Sequence, residues 1–139
     1  MKKLKMLLLV ASLAGCEAFS TETALFAVSN QNRDRVVFIV NSVERREMAP
    51  ATTEKFPVEI EVAHSRYGDY GTRPSQLDKA VEVKVEFKNL RTMAIFGPAF
   101  CVAGAKLTTS VEFSAEGQVR CMDLRTYNAL KQNQGGGSQ

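Results

Sequence analysis

The chain has 139 residues, of which 45% are hydrophobic and 24% are charged, with three cysteines and no tryptophan. This length is enough for one modest domain, and nothing in the sequence marks a second one. The net charge of +3 comes from 18 basic and 15 acidic residues, but no cluster of Lys and Arg with interleaved aromatic residues occurs, so nucleic-acid binding is not expected.

The amino terminus has the pattern of an export signal. Lys2, Lys3 and Lys5 precede an apolar run from Met6 to Ala14, and both parts have lengths usual in secretory signal peptides. The run is shorter than the roughly 20 apolar residues that a membrane-spanning helix needs. The alternative is a buried amino-terminal helix, which fits poorly because Leu7-Leu8-Leu9-Val10 offers no polar face.

The last four residues of this signal, Leu13-Ala14-Gly15-Cys16, resemble the lipobox of bacterial lipoproteins. The resemblance implies that residues 1–15 are a signal peptide and that Cys16 becomes the first mature residue, carrying a covalent lipid. In that family a residue other than aspartate after the cysteine, here Glu17, implies transfer to the outer membrane. Two acyl chains give stable attachment, so we expect a lipid-anchored protein on the periplasmic face of the outer membrane.

Removal of the signal changes the charge balance. Three basic and no acidic residues lie within residues 1–15, so residues 16–139 carry 15 of each and no net side-chain charge. Residues 16–23 are predicted to form a lipidated tether, whose part from Glu17 to Thr23 spans about 25 Å at most. A single domain, residues 24–131, is therefore expected close to the bilayer.

Apolar residues at alternate positions predict strands through most of that domain. The segments Ala80–Phe87, Val58–Val62 and Leu107–Phe113 alternate apolar with charged or polar residues, which is typical of half-buried antiparallel strands. The segment Val36–Val40 is continuously apolar. It predicts a central strand that is covered on both faces.

Shorter elements complete the predicted domain. Leu25–Val28 and Val119–Cys121 are further strand candidates, and Ala115-Glu116-Gly117 supplies turn residues before the last of them. Leu124–Lys131 is interpreted as a helix with Asp123 as its N-cap, or alternatively as one more short strand.

The pattern as a whole predicts the fold class. Residues 132–139 are polar and rich in glycine, which predicts a disordered tail. Six or more short strands with at most one short carboxyl-terminal helix predict a mainly β protein. We expect a small antiparallel β-sandwich or an open barrel.

Lipidation of Cys16 leaves Cys101 and Cys121 as an even pair in an exported chain. This arrangement predicts a disulfide. The alternatives are two buried free thiols or half of a metal site, but with His64 as the one histidine and no CxxC motif a metal ion lacks ligands. No metal is expected.

The disulfide also restricts how the strands are arranged. If Ala115-Glu116-Gly117 forms a hairpin, Cys121 lies opposite Val111. A flat meander then separates Cys101 from Cys121 by two strand spacings of roughly 4.8 Å each, which exceeds the Cα separation of about 7 Å that a disulfide allows. We therefore expect the segment around Cys101 to fold over to the other sheet. A bend at Gly97-Pro98 and Gly104 onto the last strand is the alternative.

Catalytic patterns are lacking in the sequence. Any Ser/His/Asp or Cys/His arrangement depends on His64, which is interpreted as a solvated residue at a strand end. No phosphate-binding or dinucleotide-binding motif occurs, and the glutamates that alternate with apolar residues are expected to face water, although a paired-carboxylate glycosidase is an alternative. We predict that the chain is not an enzyme and holds no cofactor besides the lipid on Cys16.

One polar segment has the composition of a contact surface. Arg66–Pro74 combines tyrosines, arginines and glycines, and tyrosine buries area at low entropic cost. The residues predicted to contact a partner are Arg66, Tyr67, Asp69, Tyr70 and Arg73. The alternative is a long turn whose tyrosines cap the core.

A second segment, Met93–Phe100, is strongly apolar and is interrupted by Gly97-Pro98. It is interpreted as core that the disulfide closes. If it is exposed, it is a docking patch or rests on the membrane. An edge strand that accepts a further strand from a partner is a third route to recognition.

These features predict a non-catalytic, outer-membrane-anchored lipoprotein that anchors, assembles or pilots a cell-envelope complex, such as a secretion or conjugation apparatus. The expected partners are the membrane, through the lipid, and a protein of that assembly. The alternative is a binding, inhibitory or exclusion lipoprotein that acts against an incoming hydrolase, phage or plasmid. A small periplasmic enzyme is the third interpretation, and the sequence carries no indication of oligomeric state.

Overall fold

The computed structural model describes residues 19–63 and 80–137. In these ranges eight strands form two four-stranded sheets, and one helix follows them. The elements in chain order are β1 (Phe19–Asn30), β2 (Val36–Val40), β3 (Val43–Met48), β4 (Thr52–Ala63), β5 (Val81–Asn89), β6 (Ile95–Ala103), β7 (Thr108–Phe113), β8 (Val119–Cys121) and α1 (Leu124–Gly137). Sheet 1 has the order β4-β1-β7-β8 and sheet 2 the order β3-β2-β5-β6. The predicted mainly β, sandwich-type fold is confirmed.

Pairing is antiparallel between all neighbouring described strands except β1 and β7. β1 pairs with β4 along its whole length, and its second half pairs in parallel with β7, from Leu25 opposite Thr108 to Asn30 opposite Phe113. Both orientations repeat side chains with a period of two. The alternation within each strand therefore predicted that these segments are strands, but not that β1 and β7 run parallel.

A cluster of phenylalanines fills the space between the sheets. Phe38 of β2 lies at its centre, with ring centroids 5.6 Å from Phe26, 5.8 Å from Phe56 and 5.3 Å from Phe87. Phe87 stacks on Phe113 of sheet 1 at 4.8 Å. Each fully buried ring of this kind contributes about 1.5–3 kcal/mol through burial alone, and the rings contact one another across the two sheets.

The central position predicted for β2 is confirmed, since all five of its residues are buried. Val36, Phe38 and Val40 belong to the core between the sheets. Val37 and Ile39 alternate with them and face the other side, where Val37 pairs with Lys88. The Lys88 side chain is only 20% exposed while its ammonium lies 2.8 Å from a carboxylate oxygen of Glu44. Its aliphatic stem therefore covers this face of the strand.

Several element bounds differ from those predicted. β1 begins at Phe19, so residues 19–23, which were assigned to the tether, belong to a strand paired with β4. β3 was not predicted because Val43–Met48 is charged and lacks apolar alternation, as is common at sheet edges. Its place at the edge of sheet 2 is determined by pairing with β2.

The helix α1 starts as predicted and runs further than predicted. Oδ1 of Asp123 accepts a hydrogen bond from the backbone N–H of Thr126 at 2.7 Å, which confirms the N-cap. The helix continues through residues 132–137, which were assigned to a disordered tail, and ends at Gly137. The glycine run therefore marks the helix end, a position that favours glycine. Within residues 19–63 and 80–137, no helix has the length and apolar character needed to cross a membrane.

The predicted disulfide between Cys101 and Cys121 is confirmed, with Cα atoms 5.6 Å apart. Cys121 lies opposite Val111, as the predicted hairpin requires. Cys101 lies on β6 at the edge of sheet 2, and β8 is at the edge of sheet 1. The segment around Cys101 does fold over to the other sheet, and the disulfide fastens the two edges together. Beside it, the backbone N–H of Val102 donates to the carbonyl of Met122 at 2.8 Å.

Asparagine side chains join the loops at one end of the sandwich. The amide nitrogen of buried Asn30 donates to the carbonyls of Asp34, Met48 and Ala49 at 3.0, 3.3 and 3.2 Å. The amide nitrogen of Asn89 donates to the Asp34 carboxylate at 2.8 Å. Because these bonds cross between loops of both sheets, they hold this end of the sandwich closed.

Candidate docking surface on strand β6

Most of the predicted site residues lie outside the described residues. These are the lipidation residue Cys16 and the predicted contact residues Arg66, Tyr67, Asp69, Tyr70 and Arg73; His64, interpreted as a solvated residue, also lies outside them. Their roles stay predictions. Of the predicted site residues, the structure describes the two disulfide cysteines.

The apolar segment Met93–Phe100 is largely on the surface. Met93 is 61%, Ile95 57% and Phe100 50% exposed, so the interpretation of the segment as core is wrong for these three residues. Only Phe96 and Ala99 pack against the core. We call Met93, Ile95 and Phe100 the β6 surface.

Cross-strand pairing with β5 explains which side chains face outward. Phe96 and Ala99 lie opposite the buried residues Phe87 and Val85, and so face the core. Ile95 lies opposite Lys88, and Phe100 lies opposite Lys84. Ile95 and Phe100 therefore share the outer face of sheet 2.

A β-bulge makes this shared face possible. Residues five positions apart, such as Ile95 and Phe100, point to opposite faces of a regular strand. The register between β5 and β6 shifts between Val85 and Phe87, and the extra residue of β6 at this bulge brings both side chains to the same face. Gly97 lies in this bulge with a φ of +110°. A Cβ atom at this position would lie 2.9 Å from the carbonyl oxygen of Val85, so only glycine fits without a rearrangement.

The open half of β6 is shaped for recognition by side chains. In the described part of the chain, its carboxyl-terminal half is fastened to β8 by the disulfide, while residues 95–100 pair only with β5. Pro98 is exposed within this half and has no backbone N–H to donate. A proline on an edge strand opposes the addition of a further strand. A partner would therefore contact the apolar side chains rather than extend the sheet.

Charged residues border the β6 surface. Lys88 pairs with Glu44 at 2.8 Å, and Nζ of Lys84 lies 3.9 Å from a carboxylate oxygen of Glu86. Charges of both signs therefore lie beside the apolar side chains. An apolar centre with a polar border is the usual anatomy of a protein–protein contact.

The β6 surface is rigidly supported from below. Phe96 packs on Phe113 with ring centroids 5.3 Å apart, and a Cβ atom at Gly117 of the β7–β8 turn would lie 3.1 Å from the Phe96 ring. These contacts connect β6 to sheet 1 beneath the exposed side chains. A surface held in this way loses little conformational entropy on binding.

Other site chemistry is limited in the ranges described. No group of three or more His, Cys, Asp or Glu side chains in residues 19–63 and 80–137 is placed to hold a metal ion. Comparisons of the chain with protein-family models, with characterised proteins and with solved structures give no match.

Proposed function

We propose that the protein is a lipid-anchored, non-catalytic component of a cell-envelope assembly, and that it holds a protein partner through the β6 surface. The supporting sequence feature is Leu13-Ala14-Gly15-Cys16 after a charged and apolar leader. The observation that carries the proposal is the exposure of Met93, Ile95 and Phe100 beside an open sheet edge. Ile95 and Phe100 lie on one face of sheet 2 and Met93 lies in the turn before β6, and exposed apolar surface of this kind is typical of interaction sites.

The size of this surface determines how much free energy its burial contributes to binding. Full burial of a large apolar side chain contributes about 1.5–3 kcal/mol, and each of the three is half exposed or more. Completing their burial therefore contributes roughly 3 kcal/mol in total. Two acyl chains on Cys16 would confine the domain to the membrane that holds its partner, and this confinement raises the effective concentration of the binding sites.

The experiment compares two matched surface changes. The test variant is I95S/F100S, and the control is Leu130→Ser, which alters an apolar residue of α1 that is 47% exposed and lies on neither proposed contact surface. Full-length proteins are cross-linked in intact cells and recovered from the membrane fraction. We expect one defined set of partners with the wild type and with the control, and its loss with I95S/F100S, whose cooperative unfolding transition shows that it is still folded under the conditions of the experiment.

A separate variant tests the anchor. Cys16→Ser should move the protein from the membrane to the soluble fraction and remove the same partners. The proposal is overturned if the wild type yields no specific partner, or if I95S/F100S retains every partner that the control retains.

A further inference from the structure

The edges β3 and β4 lie together on the side of the sandwich opposite the disulfide. β3 is the edge of sheet 2 and β4 is the edge of sheet 1, and a short turn around Ala51 connects them. Arg46 of β3 bridges the two, since its guanidinium carbon lies 4.3 Å from the centroid of the Phe56 ring and its Nη1 lies 2.8 Å from a carboxylate oxygen of Glu54. The two sheet edges are thus held at a defined separation.

Two cavities, of about 400 and about 440 Å³, lie along these edges. Arg45 and Glu59 line both, so the two cavities are neighbours, and we call them together the Arg45 groove. Phe56 and Val58 border the first cavity but are buried in the core, at 4% and 3% exposure, whereas Val43, which is 48% exposed, adds apolar surface to the second cavity and Thr21 adds a hydroxyl group. The groove therefore offers a cation, an anion and an apolar wall within a space that fits a few residues of peptide.

A second β-bulge places Arg45 in the groove. Phe38 lies opposite Arg46 and Ile39 lies opposite Glu44, so Arg45 is the extra residue with no partner on β2. The extra residue of a bulge is released from the regular alternation, and its side chain takes a new direction. This explains how two consecutive arginines of one strand both line the first cavity.

The guanidinium of Arg45 has unused hydrogen-bonding capacity. Its Nε atom is buried and has no hydrogen-bond partner. Among the described residues, Arg45 takes part in no ion pair within 4.0 Å, and it therefore does not pair with Glu59 across the groove. Buried donors almost always have an acceptor. An acceptor supplied by a ligand would satisfy this one.

We propose that the groove binds a peptide carboxylate, which accepts a two-pronged hydrogen bond from the guanidinium of Arg45. The Nε–H and one Nη–H of arginine match the two oxygens of a carboxylate. Glu59 opposes anions of higher charge and accepts from an N–H group of the same ligand. The groove thus selects a single carboxylate with a neighbouring N–H donor, as a peptide provides at its carboxyl terminus or at an acidic side chain.

Strand addition is disfavoured at this groove. Pro57 is exposed on β4 and cannot donate from its backbone, and the bulge at Arg45 interrupts the edge of β3. The ligand is therefore held through its carboxylate and apolar side chains. This site is independent of the β6 surface, because it lies on the other side of the sandwich.

Nuclear magnetic resonance gives a direct test, because the Nε–H of Arg45 has its own signal in a ¹⁵N–¹H spectrum of the full chain. Three short acetylated peptides with the same apolar residues serve as probes at low ionic strength. The first has a free carboxyl terminus, the second has an amidated end and one internal Asp, and the third is amidated and has Asn in place of Asp. Inorganic phosphate is the fourth probe.

We expect at least one of the two carboxylate peptides to shift the Arg45 Nε–H signal, and the uncharged peptide to leave it unchanged. Whichever carboxylate peptide binds identifies the source of the carboxylate. Arg45→Gln should weaken the binding of that peptide about tenfold or more. Arg45→Lys should also weaken it, because a lysine ammonium cannot form the two parallel hydrogen bonds that a guanidinium forms with a carboxylate. The control Arg120→Gln, at an exposed arginine of β8, should bind as the wild type does.

Three results would overturn the proposal. They are no shift of the Arg45 signal with either carboxylate peptide, equal binding by Arg45→Gln and the wild type, and tighter binding of phosphate than of both peptides. Unfolding midpoints of all variants are measured alongside. If Arg45→Gln does not fold, Arg45→Lys decides the outcome.

Discussion

Cys101 and Cys121 are joined across the sandwich, so that the edge strand β6 of one sheet and the edge strand β8 of the other are covalently connected. The bond closes a loop with a sequence separation of 20 residues. In the chain-entropy model a loop of this size stabilises the folded state by about 3 kcal/mol.

We therefore expect C101A/C121A to lower the free energy of unfolding by about 3 kcal/mol, measured by urea denaturation of the oxidised proteins. Treatment with a reducing agent should destabilise the wild type by a similar amount and should leave C101A/C121A unchanged. Equal stability of the oxidised wild type and C101A/C121A would contradict the role given to the bond.

Gly97→Ala should destabilise the protein by about 1–3 kcal/mol, the usual cost of a strained backbone position. Gly97 has a φ of +110°, and a Cβ atom there would lie 2.9 Å from the carbonyl oxygen of Val85. The same change at Gly135, within α1, is the control, since alanine favours a helix over glycine. Thermal unfolding of both variants checks the prediction, which fails if Gly97→Ala is as stable as Gly135→Ala.

Asn30→Ala should lower the free energy of unfolding by about 2–3 kcal/mol, because it leaves buried backbone groups without hydrogen bonds. The Asn30 amide donates to the carbonyls of Met48 and Ala49, and its Oδ1 accepts from the N–H of Asn32 at 3.0 Å. Asn128→Ala, at an exposed position of α1, is the matched control. Similar urea midpoints for the two variants would show that the asparagine cluster does not hold the loops together.

The carboxyl group of Asp34 makes the free energy of unfolding vary with pH in the acidic range. Hydrogen bonds from Arg91 and Asn89 hold the pKa of its carboxyl below the usual value. Because the folded-state pKa is the lower one, the stabilisation is complete above the unfolded pKa of about 3.9 and is lost as pH falls through the folded pKa.

The difference in stability between the wild type and Asp34→Asn should therefore be largest near neutral pH and should shrink progressively below about pH 4. Urea denaturation at a series of pH values measures it. The control is Glu116→Gln, at an exposed residue of the β7–β8 turn. A difference for Asp34→Asn that stays constant with pH would exclude this carboxylate as the cause.

The strands with clear alternation were predictable because burial on one face acts on every second residue. The observed β5 and β7 lie within one or two residues of their predicted bounds, and β2 and β8 coincide with them. The strand β3 was missed because its edge position needs no apolar face. The first part of β1 was missed because its residues are mostly polar, and its pairing with β4 determines its conformation.

The contact loop Arg66–Arg73 and the lipidated Cys16 stay predictions from the sequence. The β6 surface was only half anticipated. Its apolar residues were evident, but whether they face the core depends on the register against β5, which a pattern within one strand does not contain. The Arg45 groove was not anticipated at all, because two arginines within a charged run look like an ordinary solvated edge.

The sequence by itself determined the period-two strands, the cysteine pair and the exclusion of a flat meander between Cys101 and Cys121, because these follow from local alternation, cysteine number and the reach of a disulfide. The tertiary structure alone decided which side chains are left open for contact. A single extra residue in a strand reverses every face beyond it. Phe100 lies beyond such a residue, and Arg45 is one. Bulges are set by pairing with neighbouring strands, so only the assembled sheets determine them.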